Sequence, residues 1–75
     1  MSKFPAITDK EFIKKIRKIG FVFYEQGKGS HEAWVNYERN KMVTIARHSG
    51  KIIKRRTLKS MLEQIDISLD DFNNL

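Results

Sequence analysis

The residues best suited to chemistry lie together in Gly27-Lys28-Gly29-Ser30-His31. Histidine is the side chain whose ordinary pKa lies nearest neutral pH, which suits it to moving protons. Lysine adds a cation, and glycine takes positive φ and lets a large ligand approach the backbone. Such a set can perform general acid/base catalysis beside a phosphate. Local composition alone favours the plainer reading, a hairpin loop with a solvated histidine, and the rest of the chain has to decide.

Other chemistries fit these residue types less well. His31 and His48 are far apart in sequence, no carboxylates cluster near them and there is no cysteine, so no familiar metal-ligand set is present. Ser30 and His31 are neighbours at a strand start, where successive side chains point to opposite faces, and no acid is placed to orient the imidazole as a serine nucleophile requires. The glycine-rich stretch lacks the helix that a phosphate-binding loop leads into.

RNA asks least of such a site, because it carries its own nucleophile, the 2′-hydroxyl. An enzyme then needs a base, charge stabilisation for the phosphorane and a proton for the leaving oxygen. His31 suits the first role, Lys28 and nearby backbone N–H groups the second, and His48 or a lysine the third.

The flanking residues read as a small α+β domain. Thr8 and Glu11 have the spacing of a capping box. Phe12, Ile13, Ile16 and Ile19 then form one apolar helix face, with Lys10, Lys14, Lys15, Arg17 and Lys18 as a solvated face and Gly20 as the terminator. Residues 21–26 and 31–37 read as strands joined by the glycine turn, and residues 42–46 as a third strand after a polar turn in which Asn40 takes positive φ. Leu58, Met61, Leu62 and Ile65 mark a second helix, and Ser68 to Asp71 cap a short final turn that docks Phe72 and Leu75 on the core. Met61 reads as core. Trp34 reads as a strand residue partly covering the sheet, with base stacking on an exposed face as the lesser alternative.

Two registers of the second hairpin are open. Pairing Tyr37 with Met42 sets His31 opposite His48 and Glu32 opposite Arg47, but splits the apolar set between faces. A shift of one residue, or a bulge, unites Val35 with Val43 and Ile45 and sets His31 opposite Arg47.

At 75 residues without cysteine, the chain is one domain whose core folds without disulfides or thiolate metal sites. No stretch has the length of a membrane span or the apolar core of a signal peptide, so a cytoplasmic protein is expected. Fifteen Lys and Arg against nine Asp and Glu give a formal charge of +6. The charge is segregated: Lys41, Arg47, Lys51, Lys54, Arg55, Arg56 and Lys59 lie in residues 41–60 with no acid, and Glu63, Asp66, Asp70 and Asp71 follow with no base. A one-sign block of this kind is the footprint of a polyanion-binding surface, with nucleic acid the first candidate and an acidic protein the second. Lys54, Arg55 and Arg56 oppose the macrodipole at the start of the second helix, an arrangement suited to a phosphate. The candidate RNA-binding set is Lys28, Gly29, Ser30, Arg47, His48, Lys51, Lys54, Arg55 and Arg56.

Taken in order, Phe4-Pro5, the helix ending in Gly20-Phe21, Lys28-Gly29-Ser30-His31, Arg47-His48-Ser49-Gly50-Lys51 and Thr57-Leu58-Lys59-Ser60-Met61-Leu62 resemble the HicA family of toxin-antitoxin systems. The chain departs from that family at Ala46, where members often carry proline, and at Arg55-Arg56, where they often carry Pro-Gly. The resemblance implies a fold like a double-stranded RNA-binding domain, α-β-β-β-α with the helices on one face of an antiparallel sheet. It also implies mRNA interferase activity that arrests translation, no metal cofactor and inhibition by a HicB-type antitoxin. The family's catalytic histidine corresponds to His31. The competing expectation is a non-catalytic RNA-binding module that uses the same basic surface.

Overall fold

The computed structural model describes residues 3–75. The elements run α1 (Asp9–Arg17), β1 (Val22–Gln26), β2 (His31–Asn36), β3 (Lys41–Ala46), α2 (Arg55–Ile65) and α3 (Leu69–Asn73). The strands form one antiparallel sheet in the order β1-β2-β3, and with the helices this is the α+β arrangement of the double-stranded RNA-binding type.

Local chemistry fixes the element ends. At α1 the Thr8 hydroxyl accepts the Glu11 N–H (3.2 Å) while the Glu11 carboxylate accepts the Thr8 N–H (2.9 Å), closing the capping box. The chain leaves that helix through Gly20 at φ +103°, a conformation that side chains rarely adopt. Asn40 takes positive φ in the β2–β3 turn. At α3 the Ser68 hydroxyl accepts the Asp71 N–H (3.1 Å), and Phe72 is buried against Phe12.

The apolar stripe of α1 (Phe12, Ile13, Ile16) and that of α2 (Leu58, Met61, Leu62, Ile65) bury against Trp34, Val43 and Ile45 on one face of the sheet. Val35 is buried but lies outside this core, and its strand partners Val22 and Met42 are half exposed, so the other face carries no helix. Burying roughly a side chain's full apolar surface contributes about 1.5–3 kcal/mol. Matching two helical stripes to one sheet face is therefore what this small chain relies on.

The hairpin adopts neither expected register. His31 pairs with Ala46, Trp34 with Val43 and Asn36 with Lys41. Pairing through Trp34 rather than Val35 puts Trp34, Val43 and Ile45 on the core side together, and leaves Val35 opposite Met42 on the bare face. The indole is buried, with its N–H donated to the Glu32 carboxylate at 3.0 Å, so Trp34 offers no exposed platform for base stacking.

Candidate active site

His31 opens β2 directly after the glycine turn, and its backbone is tied on both sides. Its N–H donates to the Lys28 carbonyl (3.1 Å), and its carbonyl accepts the Gly27 N–H (2.8 Å) and the Gln26 side-chain amide (2.9 Å). The same amide donates to the Gly29 carbonyl at 3.1 Å. Gly29 sits at φ +59° with open space around it, which is the conformation the tight turn needs. A backbone held this way carries an exposed side chain: Lys28, Ser30 and His31 all face solvent. Among the described residues no side chain hydrogen-bonds the imidazole, so no carboxylate orients it.

The end of β3 is fastened beside this turn. The Arg47 N–H donates to the Ser30 carbonyl at 2.9 Å. The Arg47 guanidinium turns inward, donating through Nε to Asp9 (2.5 Å) and through Nη1 to Glu32 (3.1 Å). Asp9 is buried at 3 % exposure. Burial alone pushes its carboxyl pKa up, but the Arg47 hydrogen bond and charge, with backbone N–H groups at the helix start, outweigh this and hold it below the ordinary value. The guanidinium is shifted upward in turn, first by its hydrogen bond to Asp9. The expected meeting of Glu32 and Arg47 thus occurs on the diagonal of the ladder rather than across it.

The other basic residues lie on the loop after β3 and the first turn of α2. His48, Lys51, Lys54 and Arg56 are exposed. Arg55 is exposed with its guanidinium 4.9 Å from the centre of the Phe4 ring, which pins the N-terminal segment against α2. That segment is also joined by a Thr8–Ile52 bridge and by the Ile53 N–H donating to the Ile7 carbonyl at 2.8 Å. Among the described residues no side chain caps α2, and its first turn holds no acid. The backbone N–H groups there and the cations beside them point to the same solvent.

Two contributors were not evident from residue type. Gln26 gains its role from partners across the turn and Asp9 from a partner across the fold. For Glu32 the meeting with Arg47 was expected, and its bond to Trp34 had a local signal in the two-residue spacing that puts both on one strand face. Among the described residues no three His, Asp or Glu side chains gather as a metal cage would require.

The fold and the exposed, backbone-clamped histidine beside a basic surface define a small α+β domain, similar in fold to double-stranded RNA-binding domains, with one prominent titratable group. The family model for the HicA toxin of bacterial toxin-antitoxin systems matches residues 10–67. The chain therefore belongs to the HicA toxin family, and membership implies pairing with a HicB antitoxin. No curated protein matches the chain. Among the described residues no helix is long and apolar enough to cross a membrane.

Proposed function

We propose that the protein is a cytoplasmic, metal-independent endoribonuclease toxin that cuts mRNA and so inhibits translation, with His31 as general acid/base. The observation that carries this reading is the contrast within one residue: the His31 backbone makes three hydrogen bonds while its imidazole is exposed and, among the described residues, unpartnered. Rigid backbone with a free side chain is what proton transfer to a bound substrate requires. His31 takes the proton of a ribose 2′-hydroxyl. That oxygen forms a bond to phosphorus as the bond from phosphorus to the 5′-oxygen breaks, and His48 or a lysine protonates the leaving oxygen. Lys28 and the turn steady the charge that builds on the phosphate. Lys51, Lys54 and Arg56 hold flanking phosphates, and Gly29 and Ser30 shape the approach. Arg47, with two carboxylates on its guanidinium, acts on RNA by holding the Ser30-His31 turn in place.

The test is cleavage of RNA in EDTA by wild type and His31→Ala, with RNA binding followed in parallel. Cleavage leaving 2′,3′-cyclic phosphate ends, lost in the variant while binding persists, supports the enzyme. Binding by pure wild type without cleavage supports a non-catalytic RNA-binding module instead. A HicB-type antitoxin acts on this reading by covering His31 or by offering acidic side chains to the basic surface. A complex that leaves His31 open and still cuts RNA contradicts that mode of inhibition.

A further inference from the structure

One cavity, of about 400 Å³, opens between the end of β3, the loop that follows it and the start of α2. Ala46, Ile52, Ile53 and Met61 give it an apolar lining, and His48, Lys51 and Lys54 stand around the same space. Among the described residues the only acid on its wall is Asp9, whose charge is already met by Arg47. Among the described residues neither Lys51 nor Lys54 is paired with a carboxylate. An apolar lining ringed by free cations fits a ligand with a flat apolar body and an anionic group. The volume lies within the range typical of small-ligand pockets, roughly 300–1,000 Å³, and too small to seat a duplex face. Ala46 is shared between this cavity and the catalytic turn, since it lines the one and is the strand partner of His31.

We infer that this cavity is a subsite for one unpaired nucleotide of the RNA, its base against Ile52 and Ile53 and its phosphate on Lys51 and Lys54. The link to turnover rests on the ribonuclease reading above; the binding site itself does not. An unstacked base can enter such a pocket, whereas a base held in a helix cannot. The fold is of a type associated with duplex RNA, yet this subsite directs the toxin to single-stranded segments.

The experiment is a titration of the 15N-labelled wild-type protein with each 5′-mononucleotide, with inorganic phosphate and with a glutamate-rich peptide, followed by amide shifts. At least one mononucleotide shifts Ala46, Ile52, Ile53 and Met61, while phosphate moves only the His48, Lys51 and Lys54 region. Ile52 is half exposed and contributes its backbone to the Thr8 bridge, so Ile52→Asp leaves the fold intact and weakens the nucleotide about tenfold. Thr57→Phe, which fills the cavity from an exposed position, has the same effect. Both variants raise KM on a single-stranded oligoribonucleotide with little change in kcat. Mononucleotides that shift no more than phosphate does, a peptide that occupies Ile52 and Ile53 while nucleotides do not, or full affinity in both variants overturns the subsite. Absence of cleavage by wild type overturns the ribonuclease reading alone, because the mononucleotide titration still decides the cavity.

Discussion

The two ends of strand β2 treat a polar side chain in opposite ways. At one end Asn36 is 1 % exposed, and its amide donates to the Ile19 carbonyl (2.8 Å) and accepts the Arg39 N–H (3.0 Å), joining the α1–β1 and β2–β3 turns. At the other end His31 faces solvent, and the hydrogen bonds around it belong to its backbone. Asn36 spends its side chain on the protein's own loops, so its value is stability. His31 leaves its side chain free, so its value lies in what binds there.

Substitutions can break this contrast, beginning with the largest effect. His31→Ala lowers RNA cleavage by about 10²–10⁴-fold, the usual contribution of a general acid/base. Its denaturant midpoint stays at the wild-type value. Asn36→Leu does the reverse: it strands the Ile19 carbonyl and the Arg39 N–H and costs about 1–3 kcal/mol in denaturant unfolding. Cleavage per folded molecule is retained. If His31→Ala unfolds the protein or Asn36→Leu abolishes cleavage in folded protein, the division between the two ends is wrong.

The Arg47 strut lies between these extremes. Arg47→Met leaves buried Asp9 without its counter-charge, and because Arg47 is partly exposed the loss is about 1–2 kcal/mol. It also sharpens a pH dependence. Asp9 has a lower pKa folded than unfolded, so its contribution is complete above the ordinary carboxylate range and disappears as pH falls through the folded value. Acid titration of unfolding stability shows this loss in wild type, and Arg47→Met flattens it. The smallest effect is Gly29→Ala, which forces a side chain into positive φ without a clash and costs roughly 1 kcal/mol. Slower cleavage at unchanged RNA affinity is the expected accompaniment.

What could be read from the sequence was what depends on near neighbours. Thr8 with Glu11, Gly20, Asn40 and Ser68 all act within a few residues, and each ends or turns the chain as its type predicts. The apolar stripes of both main helices were equally plain. The hairpin register was not, because it is set by a residue whose partners are distant. Asn36 must turn inward to reach Ile19, so the strand ends there and Tyr37 becomes the first residue of the turn, 71 % exposed. Pairing then runs through Asn36 and Lys41, and His31 faces Ala46. His31 itself was legible from its type and its setting between glycine and strand. Asp9 looked like an ordinary first-turn acid and Arg47 like one more cation; only the fold, which brings the start of α1 to the residue after β3, joins the buried carboxylate to the partly exposed guanidinium.

The irregularity in β1 has its own consequence. Phe23 pairs with Trp34 and Glu25 with Ala33, so Tyr24 is the extra residue of a bulge in an edge strand whose every residue is exposed. A foreign strand laid along that edge would lose its ladder at Tyr24, where the backbone bends and its twist increases. With only a few regular positions on either side, the edge gives no template long enough for sheet extension. Strand addition to this sheet is therefore disfavoured at the β1 edge, while β3, the other edge, runs without a bulge.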